Sequence, residues 1–157
     1  MIRHLVAVDS KRGIAKNGVQ PWKLPGDEAY FTEMSKRYGG NVLMGRTTYD
    51  VIGHPLPERR NFVASRHMSE TDGVQVVQDI DAFLAAFPED IWVIGGADIY
   101  RATMEQAEEL YVTEIEADFD CDRFYPVIGA EFRLDRRSQV QIENRYRYTY
   151  AVYVRRT

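Results

Sequence analysis

Apolar residues occur along the chain both as short continuous runs and as longer stretches with helical spacing, and the two patterns alternate up to residue 115. The runs predict strands at Ile2–Val8, Asn41–Met44, Asn61–Ala64, Val74–Val77, Ile91–Ile94 and Leu110–Ile115. The helical spacing predicts four helices: Pro25 to about Arg37, a short helix that ends at Ile52, Ile80–Phe87 capped by Asp79, and about Ala97 to Glu105. Two further strands, Arg133–Gln141 and Tyr146–Arg155, have no helix between them and should pair antiparallel. This order predicts an α/β fold with a mostly parallel sheet, helices on both faces and an antiparallel edge hairpin.

Composition and charge narrow the class of protein. With 157 residues, 45% of them apolar and 28% charged, the chain has the size and composition of one globular domain, and we expect a single domain over residues 1–157. A net charge of −4 without a basic tail argues against a nucleic-acid partner. The apolar runs are too short to span a membrane, and the N-terminus lacks the features of a signal peptide. A single cysteine and three scattered histidines predict no disulfide and no metal site, so we expect a cytoplasmic protein.

The first predicted helix carries a carboxylate on its inward face. Asp27 shares that face with Tyr30, Phe31 and Met34, which follow it at helical spacing. An inward carboxylate is costly unless something pairs with it. Asp27 therefore either stabilises its own helix end, as Asp commonly does near an N-terminus, or pairs with a ligand.

Two predicted strand-to-helix junctions carry glycine, Gly45-Arg46-Thr47-Thr48 and Gly95-Gly96-Ala97. Glycine lets backbone approach a ligand closely, and a helix N-terminus favours anions, so the two junctions could hold the two phosphates of a dinucleotide. Ordinary turn chemistry would explain either one alone. Neither matches Gly-x-Gly-x-x-Gly, which disfavours the common Rossmann site.

Arginines stand beside these junctions. Arg46 and Arg66 follow two predicted strands, and Ser65 and His67 flank the second. If a dinucleotide binds, arginine at this place favours the 2′-phosphorylated form, although single surface arginines are common. Arg59 lies in a proline-rich link, where its guanidinium could bind a carboxylate or simply be solvated.

These stretches together resemble the dihydrofolate reductase family. The matching pieces, in chain order, are Ile14-Ala15…Gly18…Pro21-Trp22-x-Leu24-Pro25-x-Asp27-x-x-x-Phe31, Met44-Gly45-Arg46-x-Thr48-Tyr49, Pro55-Leu56-Pro57-x-Arg59-x-Asn61, Val93-Ile94-Gly95-Gly96-x-x-Ile99-Tyr100, Tyr111-x-Thr113 and Asp122-x-x-Phe124-Tyr125-Pro126. Each piece is weak evidence, but their joint occurrence in family order and spacing is highly specific and covers nearly the whole chain. The resemblance implies a mostly parallel, twisted eight-stranded sheet with an antiparallel C-terminal edge hairpin and four flanking helices.

The resemblance also implies the reaction. In this family NADPH reduces 7,8-dihydrofolate to 5,6,7,8-tetrahydrofolate, with hydride delivered to pterin C6 and a proton to N5, in support of one-carbon and thymidylate metabolism. The expected partners are dihydrofolate and antifolate-type small molecules, and a monomer is expected.

The resemblance implies roles for residues on the substrate side. Asp27 would hold the 2-amino and N3 edge of the pterin, with Thr113 hydrogen-bonded behind it, and would promote protonation through a water ordered near Trp22. Arg59 would bind the glutamyl α-carboxylate. The pocket wall would be formed by Leu5, Val6, Phe31, Ile52 and Leu56.

On the cofactor side the resemblance implies three groups of contacts. The nicotinamide would lie near Ala7, Ile14, Ile94 and Tyr100. The pyrophosphate would meet Arg46, Thr47, Thr48, Gly96, Ala97, Asp98 and Ile99, with Gly45 and Gly95 beside them. The 2′-phosphate would meet Arg46, Ser65, Arg66 and His67, and the Gly95–Gly96 peptide bond should be cis.

Some positions depart from the family pattern. Ala15 and Gln20, in the loop that would cover the nicotinamide, stand where many members have Gly and some have Met. Cys121 stands where the opposing loop often has Gly, next to Asp122, which would bond the covering loop. Ala15 keeps an N–H for that bond, and the acidic neighbours of Cys121 should raise its thiol pKa. Asp98 is unfavourable beside a pyrophosphate unless it points away.

Two alternatives stay open at this point. The related reductase of riboflavin biosynthesis uses NADPH on a ribosylaminopyrimidine, which has no glutamyl tail for Arg59 to bind. A catalytically idle nucleotide-binding protein could retain the cofactor groove. The presence of Asp27 argues against the idle protein, and the stretch around Asp27 together with Arg59 argues against the riboflavin reductase.

Overall fold

The computed structural model describes residues 1–157. Its helices are α1 (Pro25–Ser35), α2 (Arg46–Ile52), α3 (Ile80–Ala86) and α4 (Ala97–Thr103). Its strands are β1 (Ile2–Val8), β2 (Gly13–Ala15), β3 (Asn41–Gly45), β4 (Arg60–Ala64), β5 (Val74–Val77), β6 (Ile91–Val93), β7 (Glu109–Ile115), β8 (Arg123–Phe124), β9 (Phe132–Arg137), β10 (Gln141–Glu143) and β11 (Tyr146–Arg155).

The main sheet has the predicted mixed architecture. Its strand order is β10-β11-β7-β1-β6-β3-β4-β5, and β9 pairs with the same side of β11 as β10 does, so nine strands occupy eight positions. The strands from β7 to β5 are all parallel, whereas β11 is antiparallel to β7, β9 and β10. The carboxyl ends of the parallel strands therefore meet at one edge, where ligands bind in open α/β sheets.

The sheet is covered on both faces because its buried strands present alternate residues to each side. On one face Val6 and Leu43 pack with residues of α3 and α4, including Leu84 and Tyr100. On the other face Leu5 of β1 packs with residues of α1 and α2, which are Tyr30, Phe31, Met34, Tyr49 and Ile52. The predicted inward face of the first helix is thus confirmed.

The C-terminal part differs most from the prediction. The strand predicted over Arg133–Gln141 is two strands, β9 and β10, separated at residues 138–140. A tight turn at Asn144 and Arg145, both with positive φ, then joins β10 to β11. Strand β11 therefore lies inside the sheet, between β7 on one side and β9 and β10 on the other, and β9 and β10 form the edge of the sheet.

Boundaries differ at three helices and in the first loop, although α3 differs only by its last residue, because Phe87 is its C-cap. The first helix ends at Ser35, before the predicted Arg37, because the N–H groups of Lys36 and Arg37 bond to carbonyls three residues back and close a tighter turn. The fourth helix ends at Thr103 rather than near Glu105. The loop between Lys11 and Leu24 contains β2, which pairs with β8.

One buried polar network joins the core to the loop after β8. His4 of β1 is fully buried, with Tyr125 Oη 2.8 Å from Nδ1 and Thr103 Oγ1 2.8 Å from Nε2. Burial lowers the pKa of His4 to about 3, so the imidazole is neutral and can satisfy one donor and one acceptor. No helix of the structure is long and apolar enough to cross a membrane.

Candidate active site

A cleft of about 860 Å³ opens at the carboxyl edge of the parallel strands. Its lining includes residues of α1 and of the two junctions at which β3 leads into α2 and β6 leads into α4. Residues predicted for the substrate and for the cofactor line the same cleft, namely Leu5, Val6, Ala7, Ile14, Asp27, Phe31, Gly45, Arg46, Thr47, Thr48, Ile52, Leu56, Arg59, Ile94, Gly95, Gly96, Ala97, Asp98, Ile99, Tyr100 and Thr113.

Asp27 lies half-buried at one end of this cleft. The Thr113 hydroxyl, buried on β7, donates a hydrogen bond of 2.7 Å to Asp27 Oδ1. Burial raises the pKa of Asp27 to about 6, the Thr113 bond opposes the rise, and the charges of Glu28 and Glu143 add to it. A carboxyl group with this pKa can exchange a proton near neutral pH.

Arg59 lies on the same side of the cleft with its side chain already positioned. Its Nη1 donates to Ser35 Oγ at 2.7 Å and its Nε donates to the Pro57 carbonyl at 2.9 Å. Partial burial lowers the pKa of Arg59 from its ordinary value, but a guanidinium stays charged. The guanidinium is therefore held at the cleft as a fixed cation.

The glycine junctions form the other side. The Gly95–Gly96 peptide bond is cis, as the resemblance implies. A Cβ built on either glycine would come within 3.5 Å of Thr48 Oγ1, and a Cβ on Gly45 would lie 2.9 Å from Ile99 Cγ1. Side chains at these positions would narrow the cleft. The backbone here is open to a flat or anionic group, which fits a dinucleotide.

Two charged residues of this side are paired within their own helices. Arg46 Nε donates to Asp50 at 3.0 Å, and Arg101 Nη1 donates to Asp98 at 3.0 Å. Asp98 is thus exposed and neutralised by Arg101 rather than aimed unpaired at the cleft.

Not every predicted residue lines the cleft. Ser65, Arg66 and His67 follow Ala64, which does, and the Ser65 hydroxyl accepts the N–H groups of His67 and Met68 in a turn. Arg66 and His67 are exposed. Trp22 is buried behind the cleft against Ala7, and its Nε1 has no partner among the protein atoms.

Comparisons with known proteins show the family of this chain. The sequence model of one family, described as Dihydrofolate reductase, matches residues 1–155. The chain belongs to the dihydrofolate reductase family. It is 40% identical to the dihydrofolate reductase of Bacillus subtilis over 80% of this chain and 76% of that protein. It is 33% identical to that of Haemophilus influenzae over 97% of both chains, and 35% identical to that of Heliothis virescens over 95% of this chain and 94% of that protein.

Membership in the dihydrofolate reductase family makes this chain an oxidoreductase and supports reduction of dihydrofolate. It also decides between the alternatives left open by the sequence. The family match favours a dihydrofolate reductase over the riboflavin-type reductase and over the idle nucleotide-binding protein. The family match and the observed strand order also confirm the predicted fold.

The loop between Lys11 and Leu24 is bonded to Asp122, but through different atoms than predicted. The Asp122 carboxylate accepts the Asn17 N–H at 3.0 Å, and Ala15 contributes its carbonyl to the Asp122 N–H at 2.9 Å. The prediction that Asp122 bonds this loop is confirmed, but the donor to its carboxylate is the Asn17 N–H and not the Ala15 N–H. The pairing of strands β2 and β8 sets these contacts, because it places Ala15 opposite Arg123, the residue next to Asp122.

The predicted rise in the thiol pKa of Cys121 is confirmed, but its cause differs. Burial is the largest cause and raises the pKa to about 11, followed by the hydrogen bond and charge of Asp9. Asp9 itself is fixed by the N–H groups of Lys11, Gly13 and Phe119. The carboxylate of Asp9, in addition to the acidic residues that flank Cys121, therefore makes this thiol a poor nucleophile.

Several residues near Asp27 were missed at the level of sequence. Tyr30 stacks on Tyr150 with ring centroids 3.9 Å apart, and Glu143 accepts the N–H of Gly26. Tyr148 and Tyr150 alternate along β11, a pattern that could have indicated one shared face. Nothing local to β10 indicated that Glu143 would reach α1, since 117 positions separate it from Gly26.

We predict that Asp27→Asn stabilises the ligand-free protein above pH 6. Folding raises the pKa of Asp27 to about 6 from an unfolded value of about 4, so the folded protein favours the protonated carboxyl group. The free energy of unfolding that comes from this preference is lost as the pH rises from about 4 through 6. Above that range the variant should be more stable by about 1–3 kcal/mol, and below about pH 4 the difference should shrink.

Urea denaturation at pH 3.5, 5 and 8 measures this difference. Glu33→Gln is the matched control, because Glu33 is an exposed carboxylate of the same helix paired with Arg37. A stability difference for Asp27→Asn that does not change with pH would contradict the prediction.

Proposed function

We propose that this chain reduces 7,8-dihydrofolate to 5,6,7,8-tetrahydrofolate with NADPH, with hydride transfer to pterin C6 and protonation at N5. The observation that carries the proposal is Asp27, a half-buried carboxyl group with a pKa near 6, in the same cleft as the paired glycines. The cleft joins the two sides without an intervening side-chain wall, so two rings can meet face to face within it.

Asp27 would bind the pterin and favour its protonation. The carboxylate can accept two hydrogen bonds from the 2-amino and N3 edge, while the Thr113 hydroxyl fixes Oδ1 from behind. In a site shielded from water, this charge stabilises the form of the ring that carries one more proton. The proton would arrive through water near Trp22, whose buried Nε1 has no protein partner.

The cofactor side fits NADPH by its shape and donors. When bound, NADPH would supply the hydride that the pterin needs. Ala7, Ile14, Ile94 and Tyr100 offer a mostly apolar wall for a flat ring, and the Tyr100 hydroxyl is already used by the Leu5 carbonyl at 2.7 Å. The residues proposed for the pyrophosphate are Arg46, Thr47, Thr48, Gly96, Ala97 and Ile99, with Gly45, Gly95 and Asp98 beside them.

The 2′-phosphate is proposed to bind Arg46, Ser65, Arg66 and His67. Arg66 and His67 are exposed and follow Ala64 at the end of the cleft, so they are free to turn toward an anion. Arginine at this position distinguishes NADPH from NADH.

On the substrate side, Arg59 is proposed to bind the glutamyl α-carboxylate. Leu5, Val6, Phe31, Ile52 and Leu56 would form the wall around the pterin and the ring that follows it. Ser35 and Pro57 pre-orient the guanidinium, which lowers the entropy lost on binding.

We further propose a monomeric, single-domain enzyme over residues 1–157 that works in the cytoplasm, where tetrahydrofolate serves one-carbon and thymidylate metabolism. One sheet passes through the whole chain, which supports a single domain. The one free cysteine is typical of a reducing compartment.

The deciding experiment follows NADPH oxidation spectrophotometrically with dihydrofolate as substrate. Asp27→Asn should lower turnover at pH 7 by roughly 10²–10⁴-fold, because protonation of the pterin is no longer favoured. Turnover of the variant should recover partly at acid pH, where the substrate is protonated beforehand. Unchanged neutral turnover would refute the role of Asp27, and no turnover in the unaltered protein would refute the proposed function.

Arg59→Ala should weaken dihydrofolate binding by about 1.5–3 kcal/mol, the usual loss for a hydrogen bond to a charged group. Binding is measured by fluorescence titration with folate. Arg60→Ala is the matched control, since Arg60 pairs with Glu89 outside the cleft. Equal folate affinity in both variants would place the carboxylate site elsewhere.

Arg66→Ala combined with Arg46→Ala should raise the KM for NADPH roughly tenfold or more and leave that for NADH nearly unchanged. The reason is that only NADPH carries the 2′-phosphate. Arg147→Ala, an exposed arginine paired with Glu116, is the control. An unaltered ratio of the two KM values would exclude these arginines as the 2′-phosphate site.

A further inference from the structure

Glu143, on the edge strand β10, reaches the N-terminus of the helix that carries Asp27. Its Oε1 and Oε2 lie 2.9 and 3.2 Å from the Gly26 N, whose N–H donates to both. The Tyr148 hydroxyl donates to Glu143 Oε1 at 3.3 Å. The turn at Asn144 and Arg145 fixes the end of β10, so Glu143 is held from both sides.

Gly26 makes room for this contact. A Cβ built there would lie 2.9 Å from the Tyr148 hydroxyl and 3.2 Å from Glu143 Oε1. The Tyr150 hydroxyl also approaches, at 3.4 Å from the Gly26 carbonyl. The residue directly before Asp27 is thus surrounded by groups from β10 and β11 that a larger side chain would displace.

This contact matters because of where Asp27 lies in its helix. The N-cap residue, Leu24, has no side chain that could accept an N–H, and Asp27 is in the first turn. Free N–H groups and positive potential at a helix start stabilise a carboxylate and lower its pKa. Left alone, the start of α1 would work against a raised pKa at Asp27.

We propose that Glu143 is a positioning residue for Asp27, which binds the first turn of α1 through Gly26 and places a second negative charge there. The charge cancels part of the positive potential of the helix start, so that Asp27 remains able to hold a proton. The inference deepens the proposed function, on which only its kinetic consequence rests.

Other charged and titratable groups also surround Asp27, and Glu28 among them raises its pKa more than Glu143 does. They are Glu28 and Tyr30 on α1, and Tyr148 and Tyr150 on β11. Glu28 is exposed and paired with Lys23 at 3.5 Å, so solvent and Lys23 weaken its charge. The charge of Glu143 is among the causes that raise the Asp27 pKa.

The direct test measures the titration of the Asp27 carboxyl by ¹³C NMR in the ligand-free protein, with Asp27→Asn used to assign the signal. Glu143→Gln keeps an acceptor for the Gly26 N–H and removes the charge. It should lower the titration midpoint by on the order of half a pH unit. Glu33→Gln, the exposed control on the same helix, should leave the midpoint unchanged.

A second variant separates contact from charge. Gly26→Ala should push Glu143 away from the helix start and lower the midpoint in the same direction, whereas Tyr148→Phe, which keeps both the charge and the Gly26 contact, should lower it less. A midpoint unchanged in both Glu143→Gln and Gly26→Ala overturns the proposal, and so does an equal shift in Glu33→Gln. None of these readings requires turnover, so they stand apart from the test of the proposed function.

The kinetic consequence is a shifted pH profile. Glu143→Gln should leave the rate plateau at acid pH unchanged. Well above the midpoint it should lower turnover about threefold, which is half a pH unit expressed as a ratio, because the lost negative charge also lowers the proton affinity of the pterin bound to Asp27. A uniform loss at every pH would indicate general structural damage and would contradict the positioning role.

Discussion

The hydrogen bond from Thr113 to Asp27 joins the sheet to helix α1 within the site. Thr113 is fixed in β7 between β1 and β11, and Asp27 is carried by α1, which packs on the face of the sheet. The bond of 2.7 Å therefore sets the depth of the carboxylate relative to the sheet. The position of Asp27 relative to the other residues proposed for the substrate, including Arg59, depends on this bond.

The proton affinity of Asp27 results from opposing effects. Burial favours the protonated form, whereas the Thr113 bond and the helix start favour the ionised one. Tyr30 and Tyr150, whose rings stack at 3.9 Å, are near Asp27, and Glu143 accepts the N–H of the preceding residue, Gly26. A pKa near 6 reflects this balance, and it suits a site that must favour a proton without losing its charge entirely.

The loop over the cleft is held by carboxylates as well. Asp9 collects three backbone N–H groups and a contact to Cys121, and Asp122 binds the Asn17 N–H. A Cβ at Gly13 would collide with Cys121, so the glycine is needed for the two segments to pack. The departure at Cys121 is thus accommodated by close packing with Gly13 and by Asp9, which keeps β2 against β8.

The sequence by itself determined the order of the helices and of the strands other than β2, β8 and β10, the inward face of α1 and, through the resemblance, many of the residues that line the cleft. Those features depend on local periodicity, on glycine at turns and on motif spacing, all of which are written in neighbouring positions. Only the tertiary structure decided that β10 separates from β9, that the Asn17 N–H rather than the Ala15 N–H bonds the Asp122 carboxylate, and that Glu143 meets Gly26. The last two contacts join residues 105 and 117 positions apart. The register of all three features depends on how strands pair and on which side chain fits beside a glycine. No local pattern encodes such a pairing, because its energy comes from the partner strand and not from the segment itself.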